Sequence, residues 1–368
     1  MKALGRIEEL DYLRGFFILV ILIDHFQRWP SPFTYLTGEG RLWVSAAEGF
    51  FIISGLLIGY LRGYKQQDMP LKTMTKKLAS RAGMLYLWAV GITFFVVSMT
   101  VLLPVDPNLL PRVADTDQTA TFSTYVLNVL TLNFASDWIY FLRLYAIMLL
   151  VTPLVIWMFR KGWWLHVLLA SLAVYGLSFL SDVPEGALQW QLLFFAASVI
   201  GFKFEAIAHW FRERPKAKHA FILIASLVTI GTMILSYFWV LGWQYVEAPN
   251  SSFSRDAYVS TRSWLDPWFA KAPLAIGRVV LSFVWFTGLL SLFHFALPHI
   301  RRWFGWLLMT FGTQSLSAYC LQAIVFVFIQ YLIPVTTNWY LNALTTTAVV
   351  LLMWALLRIP VVRKVLPR

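Results

Sequence analysis

Apolar residues in this chain fall into long blocks, not into the two-residue alternation of half-buried strands or the narrow stripe of surface helices. A membrane-spanning helix uses about 20 residues. Blocks of that length lie near 15–33, 43–61, 82–104, 140–159, 163–181, 188–205, 220–246, 274–297, 305–333 and 338–358. The pattern therefore predicts an all-α, polytopic transmembrane helix bundle of about ten spans, forming a single domain over residues 1–368. Segment 122–136, rich in Ser, Thr and Asn, is too short to span and reads as an interfacial or re-entrant piece.

Charge adds an orientation. With an even number of spans both termini share a side, and placing them in the cytoplasm puts 22 of the 30 Lys and Arg residues on the inner side and 8 on the outer. Cytoplasmic loops accumulate Lys and Arg, so this is the expected topology. It also accounts for the net charge of +12 without any nucleic-acid partner. Composition closes off other classes. The chain is 59% hydrophobic and only 13% charged, with a mean hydropathy of +0.67, whereas soluble domains carry about 25% charged residues. A cytosolic enzyme, a secreted domain and a disordered chain are excluded. The lone Cys320 provides no disulfide and no thiolate metal site. The first apolar block follows Glu8, Glu9 and Asp11 and is not followed by a small-residue cleavage site, so it is expected to remain as a helix.

Ionisable residues inside spans are costly and mark sites or pathways. Arg14 and His25 are 11 residues apart, which returns to within about 20° of the same face and about 16 Å along the axis. On the second, antiparallel block Glu48 falls at a similar depth, and Arg41, Glu48, Gly55 and Arg62 recur every seven residues as one polar stripe. Glu48 is therefore the expected carboxylate partner of His25. Asp24, about 100° away round the helix, is the reserve candidate. Arg143, Gln189, Gln191, Arg278, Ser315 and Gln322 fall in the outer halves of other spans. They form either an outward-opening polar chamber with His25 and Glu48 near its floor, or hydrogen-bonded cross-links between helices. A midplane histidine with a carboxylate suits general-base chemistry. One histidine with scattered carboxylates is not a metal-ligand set, and the other histidines, His166, His209, His219, His294 and His299, are expected near the inner face. Outside, residues 105–121 carry Asp106, Asp115 and Asp117 against Arg112. The long loop 247–273 is polar and rich in Trp and Tyr, as suits either a hydroxylated acceptor or an interfacial aromatic belt.

Arg14, ten residues, then His25, followed by FFIISG at 50–55, resembles the signatures of the membrane acyltransferase 3 superfamily. The stretches ELDYLRGFFILVILIDHF, SAAEGFFIISGLLIGY, LRLYAIMLLVTPLV, LQWQLLFFAASVIGF and GTQSLSAYCLQ look like its OpgC-type branch, named for succinylation of osmoregulated periplasmic glucans. The resemblance implies an integral membrane O-acyltransferase. It would move a succinyl or acetyl group from cytoplasmic acyl-CoA to a hydroxyl of a periplasmic glycan, with no permanently bound cofactor. His25, Glu48 and Asp24 are then the catalytic candidates, with His25 as general base or acyl carrier. Arg14, Arg62, Lys76, Lys77 and Arg81 form a basic inner mouth for CoA phosphates, and Arg41, Arg143, Gln191, Arg278, Ser315 and Gln322 contact the substrates. The expected partners are acyl-CoA, the hydroxylated acceptor and the bilayer, and a homo-oligomer is compatible with the pattern. A proton-coupled transporter or flippase, using His25, Glu48 and Arg143 as a relay, is the alternative reading.

Overall fold

The first apolar block becomes α1 (Glu8–Phe26), and its position in the molecule explains how it tolerates so many charges. Its buried residues occur on all sides, from Leu10 and Leu13 through Ile18 and Ile23 to Phe26, because helices surround it. A helix that is apolar all round belongs in the interior. The computed structural model describes residues 7–103, 121–180, 186–249, 251–252, 254–334 and 336–367, and all of its labelled elements are helices. The expected acidic stretch with Asp106, Arg112, Asp115 and Asp117 lies outside the described residues.

The remaining frame follows in chain order. Helix α2 (Ala46–Leu57) continues as a π-helical segment, Ile58–Lys65. Then come α3 (Leu71–Leu102), α4 (Phe122–Leu130), α5 (Tyr140–Arg160), α6 (Trp164–Leu177), α7 (Gly186–Phe202), α8 (Phe204–Glu213) and α9 (Pro215–Leu241). An outer-loop helix α10 (Arg255–Leu265) precedes α11 (Ile276–Thr313), α12 (Ser315–Leu332) and α13 (Trp339–Arg358). Helix α1 packs most extensively on α11 and also meets α2, α12 and α13; α3 pairs with α5, and α2 with α7.

Among the described residues, 7 helices are long and apolar enough to cross a membrane, or 8 if α7 and α8, which meet at a 58° bend, count as one broken span. Two of the expected ten blocks fall short of that measure for clear reasons. Helix α1 carries Glu8, Glu9, Asp11, Arg14 and Asp24, and α6 has only 14 residues. A third difference concerns the blocks 274–297 and 305–333. The first and the start of the second form one 38-residue helix, α11, and α12 begins only at Ser315.

Helix α11 cannot be straight. His294 and Gly312, 18 residues apart, would be about 27 Å apart on a straight axis. Yet His294 meets Glu9 at 3.0 Å, while Gly312 lies against the Asp11 carbonyl and Leu308 against Gly15. Pro298, inside the helix, removes one backbone hydrogen bond and bends the axis so that both parts return to α1. Gly15 and Gly312 allow backbone to touch backbone there. On the other side of the bundle Gly55 of α2 and Gly59 of the π-helical segment lie against the α7 carbonyls of Phe194 and Ser198.

Candidate active site

Helix α2 starts where its sequence caps it. Ser45-Ala-Ala-Glu48 forms a capping box: the Glu48 carboxylate accepts from the Ser45 backbone N–H at 2.8 Å and from its hydroxyl at 2.6 Å. The other Glu48 oxygen accepts from Arg278 Nε at 2.6 Å, and both side chains are buried, at 0% and 4% exposure. Arg278 also donates from Nη1 to the carbonyls of Leu42 and Phe269, at 3.2 and 3.1 Å. Glu48 therefore fastens the start of α2 to the start of α11.

The expected pairing of Glu48 with His25 is corrected by these contacts. Both oxygens of Glu48 are committed, and the imidazole has another partner. His25 Nδ1 lies 3.0 Å from Nε2 of Gln322 on α12, and the same amide nitrogen donates to the Trp138 carbonyl at 3.0 Å. The Tyr319 ring stands 6.3 Å from the imidazole. Nε2 of His25 has no protein partner among the described residues, and the ring forms part of the wall of a chamber of about 590 Å³.

Asp137, Tyr140 and Phe141 around the start of α5, Gln189 and Trp190 of α7, and Lys271 from the connection preceding α11 complete most of that wall. The Lys271 segment is held firmly. Gln189 Oε1 accepts from the Leu274 backbone N–H at 2.7 Å, and Tyr175 of α6 donates to the Leu274 carbonyl at 2.7 Å. Lys271 is hemmed in by protein yet open to the chamber. It interacts electrostatically with His25 and also with Glu48, Asp24 and Arg278, so the cation that acts on the imidazole is itself coupled to two acids and an arginine.

The structure disperses several of the other expected residues. Asp24 turns away from the chamber into a separate, mostly apolar void, because consecutive helical residues point about 100° apart. Arg41 precedes α2 altogether, is exposed, and lies 3.6 Å from Glu39, while the π-helical turn shifts Arg62 off the line through Glu48. The seven-residue stripe is thus not one helix face. Gln191 cross-links α7 to Ser171 of α6, at 2.6 and 2.8 Å. Arg143 stacks 5.8 Å from the Tyr140 ring and is half-buried. Ser315 opens α12 next to the Gly312 contact with the first turns of α1, at the opposite end from His25.

At that opposite end Arg14 pairs with Asp11 at 2.5 Å and Arg62 with Gln66 at 2.6 Å. Lys76, Lys77 and Arg81 are exposed along α3, as is Lys72. Among the described residues no group of three His, Cys, Asp or Glu side chains is placed to hold a metal ion.

Sequence reasoning missed Lys271, the Trp138 carbonyl and the Ser45 cap. The cap had a readable signal in its Ser-x-x-Glu spacing. Lys271 lay inside the polar, aromatic loop 247–273, read either as an acceptor surface or as an interfacial belt, but in no motif, and a backbone carbonyl carries no sequence signal at all.

A buried helix bundle with a polar, titratable chamber at one end defines the class: an integral membrane protein built around a site for chemistry or passage. Residues 6–363 match the family described as OpgC protein, and the chain belongs to that family. Membership makes it a membrane protein of the glucan-modifying acyltransferase type. Comparison with curated proteins and with solved structures finds no significant match in either.

Proposed function

We propose that this protein transfers a succinyl or acetyl group from cytoplasmic acyl-CoA to a hydroxyl of a periplasmic glycan, with His25 meeting the reacting atoms. The observation that carries this reading is the chamber itself. It holds a histidine whose outward nitrogen has no protein partner among the described residues, with the cation of Lys271 on the same wall. The whole chain acts as one domain in the inner membrane, with ten spans and both termini in the cytoplasm. Helix α1 counts because a charged helix enclosed by others does not meet lipid, and α6, short but apolar, completes the ten.

Donor and acceptor arrive from opposite ends. The cations Arg14, Arg62, Lys76, Lys77 and Arg81 receive the CoA phosphates, and an extended pantetheine arm carries the thioester towards His25. Trp264 and Trp268, exposed on the outer loop, and Tyr245, exposed just before it, offer flat surfaces to a sugar. Acyl-CoA is thus a substrate, and the chain needs no resident cofactor.

The deciding experiment offers purified protein succinyl-CoA or acetyl-CoA together with glucose oligosaccharides. Free CoA and acylated oligosaccharide are expected; a transporter yields neither. Neutralising Arg62 or Arg81 should raise the acyl-CoA concentration needed, increasingly so with salt, because exposed phosphate contacts are screened. Lys72→Ala is the control: an equal defect there reduces the inner mouth to general surface charge.

A further inference from the structure

The hydrogen bonds behind His25 fix which of its nitrogens carries the proton. A carbonyl oxygen can only accept, so the atom of Gln322 that meets the Trp138 carbonyl at 3.0 Å must be the amide nitrogen. Reversing the amide would set its oxygen 3.0 Å from another oxygen. The same nitrogen has a second hydrogen and lies 3.0 Å from His25 Nδ1, so Nδ1 accepts. In a neutral imidazole the proton then sits on Nε2, the nitrogen left to the chamber. Gln322 is fully buried, which leaves the amide little freedom to turn over.

A protonated Nε2 can neither take a proton nor attack a thioester. It can donate a hydrogen bond. Of the residues on the chamber wall, Lys271 is the other one that carries a titratable nitrogen. We propose that His25, held as the Nε2–H tautomer by Gln322, donates to the acyl carbonyl oxygen, and that the neutral amine of Lys271 takes the proton of the acceptor hydroxyl. This rests on the acyl-transfer reading and assigns the groups within it.

The step balances. The hydroxyl oxygen bonds to the thioester carbon as its proton passes to Lys271 Nζ. The carbonyl oxygen gains negative charge and is held by the His25 N–H, as in other sites where a fixed donor meets developing charge. The C–S bond then breaks, and the ammonium of Lys271 returns the proton to the departing CoA sulfur. His25 ends as it began.

Lys271 is suited to the task. Enclosure by protein lowers its pKa, and Arg278 on α11 acts in the same direction, against Glu48 on α2 and Asp24 on α1, which raise it. Glu48 is already bonded to Arg278, which blunts its effect. His25, Asp137 and Tyr140 also face the chamber. A base whose pKa moves down towards the working pH is a better proton acceptor than a surface lysine.

Two measurements on the full-length protein test this. The first is ¹⁵N NMR of histidine-labelled protein, with the His25 signals identified by their loss in His25→Ala. The expected result is an unprotonated Nδ1 and a protonated Nε2 in the native protein, reversed in Gln322→Glu, whose carboxylate accepts from Nδ1–H. A protonated Nδ1 in the native protein overturns the proposal. The second is CoA release from succinyl-CoA with glucose oligosaccharides. Lys271→Ala and Lys271→Arg should both lower kcat about 10²–10⁴-fold with little change in KM for the donor, because arginine keeps the charge but does not deprotonate. Small primary amines should restore part of the loss in Lys271→Ala. If Lys271→Arg stays within about threefold of the native rate, a difference worth under roughly 1 kcal/mol, Lys271 is a cationic contact and not the base. Absence of CoA release from the native protein would overturn the acyl-transfer reading and the role of Lys271 together, while the tautomer is read by NMR without any substrate.

Discussion

His25 and Asp24 are consecutive on α1, yet they open onto two different voids. His25 faces about 590 Å³ walled by Asp137, Tyr140, Gln189 and Lys271. Asp24 faces about 50 Å³ among Phe17, Val20, Met233, Trp285 and Phe286, with Thr37 within hydrogen-bonding reach and Oδ1 without a protein partner. Both residues are half-buried, and both carry groups common in catalysis. What separates them is convergence. Several elements deliver polar groups to the chamber that the imidazole faces, whereas the carboxyl meets mostly apolar walls. A charge-bearing residue inside a membrane helix marks a site only where other elements bring it partners of the right kind.

Four substitutions bear on that contrast, taken here from the largest expected effect to the smallest. His25→Ala should lower acyl transfer about 10²–10³-fold, the range for loss of a donor to the charge that develops on the carbonyl oxygen, as read from CoA release. Retained turnover would leave the larger chamber without its central group. Arg278→Met strands the Glu48 carboxylate in a buried position, which costs about 3–5 kcal/mol when one partner of such a pair is removed. Thermal unfolding in detergent should show it, and Glu48→Gln combined with Arg278→Met should recover part of the loss. Full activity and stability in Arg278→Met would mean that the α2–α11 fastening does not support the chamber.

Ser45→Ala removes one hydrogen bond to Glu48 and the cap of α2, worth about 1 kcal/mol, again visible in thermal unfolding. The smallest effect belongs to Asp24→Asn. It should change turnover by less than about threefold, equivalent to under roughly 1 kcal/mol. A loss there as large as that of His25→Ala would make the two voids parts of one site.

Much of the helical frame was legible because apolar block length is a strong signal. The places where the reading failed are physical. The block 274–297 stops just short of Pro298, but a proline inside a long helix bends it when neighbouring helices hold both parts, so α11 and α12 divide the apolar stretch at Gln314 instead. The seven-residue stripe assumed that the helix began before Arg41 and kept one period to Arg62. The cap at Ser45 and the π-helical turn break both assumptions. His25 stood out through its depth and its register with Arg14. Its partner was misjudged because Glu48 and Gln322 are both polar residues at helix positions, and sequence alone does not show which one a distant arginine already holds.

The two contacts that complete the chamber span long distances in the chain: Glu48 meets Arg278 across 230 positions, and His25 meets Gln322 across 297. At about 5–20 residues per second of synthesis, roughly 15 to 60 seconds separate the emergence of His25 from that of Gln322. Throughout that interval α1 and α2 are in or near the bilayer with Asp24, His25 and Glu48 lacking their final neighbours. A fragment that ended before α11 would therefore hold Glu48 and His25 without Arg278 and Gln322, so the last quarter of the chain is needed to finish what the first two helices begin.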